Sequence, residues 1–334
     1  MTLWELFGLP FMQRALVAAL LTGLAAPAIG TFLVQRRLAL LGDGIGHVAV
    51  TGVALGLLTG TSPTWTAVGV AVLGAVAMEV IRERGHTNGD VALALLFYGG
   101  LAGGVLITGI AGQGAATLQA YLFGSLNSIS QADVWFTLGL TVVVLVVTLG
   151  LLPQLFAVSS DPEFARVAGL RVRAYNLLVA VLAAVTVTVA MRTVGLLLVS
   201  ALMVVPVATS QQLARSFRAT LLGAMLVGTL AATGGLVISA VLSFRASVQP
   251  GPTIVLLALA MFASTWPIGV WLRRRQRLLT PFPEVTVVPH TTTAEHPHAH
   301  GPDCGHPAVP HGDHVDYVHG GHRHAMHGEH YDEH

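Results

Sequence analysis

Asp43 and His47 are the two side chains able to do chemistry inside an otherwise apolar stretch, RRLALLGDGIGHVAVTGVALG, residues 36–56. Their spacing of four puts them on one face of a helix, one above the other. An ionisable group in hydrocarbon costs roughly 2.5–3.5 kcal/mol on insertion scales, so such a pair is expected to face protein or water and not lipid. A carboxylate and an imidazole so placed can hold a divalent metal or relay a proton. They can equally form a hydrogen-bonded pair that pins two helices, and the spacing alone leaves both readings open. Gly42 and Gly46, and again Gly52 and Gly56, repeat at the same interval, which lets a neighbouring backbone approach closely in a membrane.

The rest of the chain is a setting for such a helix. Of 334 residues, 54% are apolar and only 10% charged, and the mean hydropathy is +0.72; this is a polytopic membrane composition and not that of a soluble domain. All 17 basic residues are Arg, so the chain cannot carry the P-loop lysine and does not hydrolyse ATP through that motif. Cys304 is the only cysteine, which excludes an intrachain disulfide. Residues 1–10 carry Glu5 and no basic residue, so no cleaved leader is expected. H-E-x-x-H is absent, which removes the zinc-protease reading.

Apolar runs predict an all-α membrane protein with eight or nine spans, near 11–34, 38–60, 63–81, 91–112, 132–152, 175–191, 193–210, 219–243 and 252–272. The lower count applies if 193–210 is broken at Pro206. With nine spans and the N-terminus outside, one set of loops holds thirteen arginines, among them Arg36, Arg37, Arg82, Arg84, Arg166, Arg171 and Arg173. The other set holds only Arg14, Arg192 and Arg245. The positive-inside rule then places the C-terminus in the cytoplasm. The expected division is a transmembrane domain over 1–275 and a tail over 276–334.

Two segments outside the spans are informative. DPEFARVAGL, within the insertion 153–175, reads as a short helix: Asp161 caps it, Pro162 opens its first turn, Glu163 complements its dipole and Gly169 stops it. Phe164 and Val167 could form a docking face. The residues fit either a loop helix resting on the protein's own surface or a handle for a partner subunit. In the tail, residues 290–334 hold 13 of the 15 histidines: His290, His296, His298, His300, His306, His311, His314, His319, His322, His324, His327, His330 and His334, with Cys304 among them. Imidazole and thiolate suit Zn, Cu, Ni and Fe. The segment has no apolar periodicity and is expected to be disordered without metal, buffering or sensing it.

These stretches together resemble the membrane permease of zinc/manganese ABC importers, the zinc-uptake type in particular. RRLALLGDGIGHVAVTGVALG is similar to that family's second-helix signature and DPEFARVAGLRVRAYNLL to its coupling segment. TVGLLLVSALMVVPVATSQQLAR, VQPGPTIVLLALA and YLFGSLNSIS resemble its later helices and an external connection. The resemblance covers residues 11–272 and leaves the tail outside. It implies a multi-pass subunit of the cytoplasmic membrane, not an enzyme, without a prosthetic group and without a nucleic-acid partner. Zn²⁺, or Mn²⁺ or Fe²⁺, is then the substrate. The implied partners are a second copy of the chain, an ATP-hydrolysing subunit and an extracytoplasmic metal-binding protein. By the same resemblance Asp43 and His47 line the metal path, and Asp161, Pro162, Glu163, Phe164, Val167 and Gly169 belong to the coupling helix. A proton-coupled secondary transporter or exporter of divalent cations is the competing class, and it has no need of a docking helix.

Overall fold

A computed structural model describes residues 5, 7–83, 89–112, 122, 124, 129–244, 248–279, 292–293, 300–311, 314–319, 322–327 and 330–333. The chain separates into two compact units, Met1–Trp271 and Leu272–His334. The helices, in order, are α1 (Pro10–Gln35), α2 (Leu41–Thr59), α3 (Pro63–Glu83), α4 (Gly89–Ile110), α5 (Gln131–Gly150), α6 (Leu152–Ser160), α7 (Pro162–Val167), α8 (Val172–Val194), α9 (Leu196–Leu213), α10 (Phe217–Leu242) and α11 (Pro250–Leu279). Nine of them are long and apolar enough to cross a bilayer, among the described residues. Proline opens α1, α3 and α11, where its missing N–H leaves no bond unmade. The segment carrying Pro206 is one continuous helix, α9, which gives nine candidate spans among the described residues and not eight. The insertion contains a helix the sequence reading did not expect: α6, opened by Pro153 in its first turn, precedes α7.

Helix α1 is the hub of the bundle and packs against α5, α8, α9 and α10. Its small residues make this close. A Cβ at Gly23 would lie 2.8 Å from the Gly228 carbonyl oxygen of α10, and one at Gly30 would collide with the Met203 backbone of α9. Helix α2 lies against α3 and α4. At its crossing with α4, a Cβ at Gly100 would sit 2.6 Å from the Val48 nitrogen. The Thr51 hydroxyl donates to the Gly100 carbonyl there, at 2.6 Å. The backbone stretch carrying His47 is therefore held directly against a glycine of α4.

The tail differs from the disorder expected of it. Strands β1 (Thr292–Thr293), β2 (Ala308–His311), β3 (His314–His319), β4 (His322–His327) and β5 (His330–Glu333) form one antiparallel sheet in the order β1-β5-β4-β3-β2. Val315, Tyr317 and Val318 in β3 have high strand propensity, and paired histidines stand opposite one another at the hairpin ends, His319 with His322 and His327 with His330. Sheet pairing satisfies backbone groups without the apolar periodicity whose absence had suggested disorder.

The α2–α4 crossing makes a stability prediction. Gly100→Ala is expected to destabilise the protein by about 1–3 kcal/mol, because the added methyl meets backbone and not a mobile side chain. Gly99→Ala, exposed and with nothing near its Cβ position, is expected to leave stability unchanged or slightly raised. Thermal unfolding of the two purified variants in detergent checks this; equal melting temperatures would contradict the packing described.

Candidate functional site

Asp43 lies in the first turn of α2 and His47 one turn further on. The helix N-terminus favours a carboxylate at the first position. His47 Nε2 is 3.8 Å from Asp43 Oδ1, with the imidazole 8% and the carboxylate 27% exposed. That separation is too long for a hydrogen bond. It is a little longer than the roughly 3–3.5 Å that two ligand atoms keep about one ion, given Zn–N and Zn–O lengths near 2.0–2.2 Å. The His47 ring meets Phe97 of α4 edge-on, with centroids 4.3 Å apart. Its Nδ1 is buried and has no hydrogen-bond partner among the described residues. A cavity of about 290 Å³ opens beside the pair, lined by Leu40, Asp43, Leu93, Ala94, Phe97 and Tyr98. The pair offers one carboxylate and one ring nitrogen, a partial coordination set. No further His, Cys, Asp or Glu joins it in a three-residue cluster among the described residues.

The same end of α2 is anchored by charge. Glu79 of α3, 1% exposed, accepts from Arg36 Nη2 at 2.9 Å and from Arg82 Nη2 at 2.5 Å and Nε at 3.3 Å. Burial lowers the Arg36 pKa and the Glu79 carboxylate opposes the shift. A guanidinium stays charged at physiological pH even so. Glu83 pairs with Arg173 of α8 at 2.9 Å. This ties the ends of α1, α3 and α8 together around the start of α2. The sequence reading had counted Arg36 and Arg82 only as topology signals and missed Glu79. An acid inside the span read at 63–81 is the signal that could have found it.

Helix α7 is built as its sequence predicts. Asp161 Oδ1 accepts from the Phe164 N–H at 2.9 Å, Pro162 follows the cap, and Glu163 pairs with Arg166 at 2.8 Å. Its far end closes with a Schellman pair, Leu170 N–H to Ala165 O and Gly169 N–H to Arg166 O, both 3.0 Å, with Gly169 at φ +82°. Ala165 is buried against Val158 of α6 and Val172 of α8. Phe164 and Val167 point away, 64% and 89% exposed. Beside them opens a cavity of about 600 Å³ lined by Arg82, Arg166, Arg171 and Arg173 together with Glu83 and Asn176.

At the opposite end of the bundle Ser130 and Asp133 form a capping box at the start of α5, and Asp133 pairs with Arg192 at 3.3 Å. Arg192 Nη1 also donates to Thr64 at 2.9 Å, joining α8 to the start of α3. The sequence alone named Arg192 without either partner. Both Asp133 and Thr64 are remote from it in the chain, so nothing local pointed to them.

In the tail unit His300, Cys304 and His306 come together, with their ligand atoms all within 4.8 Å of one another. His314 lies on β3 beside Asp316, Nε2 to Oδ1 3.3 Å, and His324 is buried on β4. The backbones of His311, His319, His322, His327 and His330 lie on strands. His290, His296, His298 and His334 lie outside the described residues.

Residues 8–267 match the model of the ABC 3 transport family. The chain is 31% identical over 270 residues to the manganese import system permease protein ScaB of Streptococcus parasanguinis, covering 81% of this chain and 95% of that one. It is 30% identical over 272 residues to the high-affinity zinc uptake system membrane protein ZnuB of Haemophilus influenzae, covering 80% and 100%. Its fold is similar to a chain of PsaBC from Streptococcus pneumoniae in complex with Fab, with a TM-score of 0.72 and 27% identity over 82% of this chain and 98% of that chain. A multi-pass bundle of nine candidate spans, matched by the family model over most of its length, is a membrane protein of the ABC 3 transport family.

Proposed function

We propose that the chain is the membrane subunit of an ABC importer that carries Zn²⁺ inward by alternating access, driven by ATP hydrolysis in a separate subunit. The observation that carries this reading is the Asp43–His47 pair: two metal-ligating groups at 3.8 Å, with an imidazole nitrogen lacking a partner among the described residues, beside a cavity in an ABC 3 family bundle. Nε2 is the ring nitrogen that faces Asp43 and would share an ion with it, while Nδ1 is the one without a partner among the described residues. The pair is partial as a ligand set. A second copy related by a two-fold axis would add a second carboxylate and imidazole, which supports a homodimer. Membership of an ABC family weighs against the proton-coupled transporter or exporter.

The choice of zinc rests on ligand chemistry. Imidazole suits Zn²⁺ better than Mn²⁺, and the tail adds thiolate and further imidazole to the same chain. Mn²⁺ is the second reading, and the names of the ScaB relatives favour it; the carboxylate of Asp43 suits Mn²⁺ and Fe²⁺ as well. On this reading the arginine-rich end of the bundle faces the cytoplasm, following the positive-inside rule, and the tail lies there too. The Asp133–Arg192 end faces outward, where an extracytoplasmic metal-binding protein would deliver the ion.

Helix α7 is the docking point for the ATPase subunit. Its caps fix its shape, Ala165 seats it on the bundle, and its exposed apolar pair is free to enter a groove beside the basic cavity.

Asp43→Ala and His47→Ala are each expected to reduce zinc uptake by metal-starved cells to background while the protein inserts at normal levels. Wild-type uptake by both variants, with insertion verified by membrane fractionation, would remove the pair from the path. The double change Phe164→Asp with Val167→Asp is expected to abolish co-purification of the ATPase subunit and, with it, transport. These side chains are solvent-exposed, so the fold should be little affected. Retention of the ATPase at wild-type yield would contradict the docking role.

A further inference from the structure

We infer that His300, Cys304 and His306 form one defined thiolate–imidazole site for a borderline-soft divalent cation, Zn²⁺ above Mn²⁺, distinct from whatever looser binding the other tail histidines provide. Three observations carry it. The first is ligand geometry. Cys304 Sγ and His300 Nδ1 are 3.6 Å apart. Zn–S near 2.3 Å and Zn–N near 2.0–2.1 Å at a tetrahedral angle require roughly 3.5 Å between those atoms. His306 completes a triangle in which all three ligand atoms lie within 4.8 Å, leaving a fourth position for water or a further ligand.

The second observation is that the loop is held and does not depend on the metal to place it. Cys304 N–H donates to Gly301 O at 3.1 Å, closing a turn, and Gly305 takes φ +74°, a left-handed conformation that glycine adopts without strain. Val318 N–H of β3 donates to Pro307 O at 3.0 Å, fixing the end of the loop to the sheet. The third is the support behind the ligands. Tyr317 and His324 are cross-strand partners on β3 and β4. The His300 ring stacks on Tyr317, centroids 5.3 Å apart and planes 6° from parallel, and lies 5.8 Å from the ring of His324. A ligand ring packed in this way loses less freedom on binding than one on an unstructured chain.

Binding would displace the Cys304 proton to solvent and leave the thiolate on the metal. Thiolate is what separates this site from Mn²⁺, which prefers oxygen ligands. The site itself stands on the tail geometry; only its use, as a receiver or sensor of imported ion, rests on the transport reading.

The test is optical titration of the purified full-length protein with Co²⁺ as a stand-in for Zn²⁺. Because Cys304 is the only cysteine, any thiolate-to-cobalt charge-transfer band reports this site and no other. The expected result is a band that saturates at one Co²⁺ per chain, bleaches with excess Zn²⁺ and survives excess Mn²⁺. Cys304→Ser is expected to abolish the band. His300→Gln and His306→Gln should each weaken Co²⁺ binding at the band by about tenfold or more, at least the loss seen when supporting partners of a ligand are removed. His306→Cys is expected to keep the site and intensify the band, which separates a ligand role from a structural one. A wild-type protein saturated with Co²⁺ without a thiolate band would overturn the inference, and so would an unchanged band in His306→Gln. The band is read independently of uptake, so failure of transport with the band intact would count against the transport reading alone.

Discussion

Hydrocarbon offers no hydrogen bonds, so each polar group inside this bundle must find its partner within the protein. Most do so locally. The hydroxyls of Thr31, Thr137, Thr148, Thr186, Thr188 and Thr209 donate to carbonyls four residues back. The charged groups are satisfied at longer range, Glu79 by Arg36 and Arg82, Asp133 by its capping box and Arg192. Thr22 Oγ1, Arg36 Nη1, Gln154 Oε1 and Asn176 Oδ1 are, like His47 Nδ1, buried without a partner among the described residues, and Asp43 and His47 differ in being two ionisable groups side by side on one helix. They are close without being bonded, and one ring nitrogen lacks a partner among the described residues. On the proposed transport reading, the 3.8 Å gap leaves the Asp43 carboxylate and His47 Nε2 available to a ligand.

Packing keeps that arrangement in place. Gly100 brings α4 onto the backbone around His47, Thr51 ties the two helices by a hydrogen bond, and Phe97 covers the imidazole. Helix α1, with Gly23 and Gly30 against α10 and α9, supplies a rigid centre. Contacts between backbones shift as units and do not deform gradually, which suits a mechanism in which one access is closed as the other opens. The polar ties sit at the two ends: Arg36, Glu79 and Arg82 at one, Thr64, Asp133 and Arg192 at the other. Helix α7 lies next to the first group, by way of the cavity that Arg82 and Arg166 share.

Much of this architecture was legible in the sequence because a membrane imposes length. The helix carrying Asp43 and His47, expected over 38–60, spans Leu41–Thr59, and the one opened by Pro63 begins at that residue. The pair itself was legible because charge is rare in such runs. What could not be read were tertiary facts: that Gly100 rather than Gly99 faces α2, that Phe97 covers His47, and that Glu79 bridges two helices. Apolar periodicity does not distinguish one buried face from another in a bundle apolar all round. Helix α6 was missed because the insertion 153–175 was read as holding only the short helix after Asp161, whereas Pro153 opens a further one. The tail strands were missed because histidine dominates them. Gly312-Asp313, Gly320-Gly321 and Gly328-Glu329, evenly spaced between alternating runs, were the hairpin signal available.

The central claim is that Asp43 and His47 touch the transported ion, and loss of uptake alone does not separate contact from structural damage. Metal preference does. The most direct measurement is competitive uptake of Zn²⁺ and Mn²⁺ by metal-starved cells expressing wild type or His47→Asp, which replaces imidazole with a carboxylate better suited to Mn²⁺. Contact predicts that the zinc-to-manganese uptake ratio falls by about tenfold or more in the variant, a change of roughly 1.4 kcal/mol or more in relative preference, while manganese uptake persists. An unchanged ratio, with transport retained, would show that the ion passes without meeting His47 and would contradict the account.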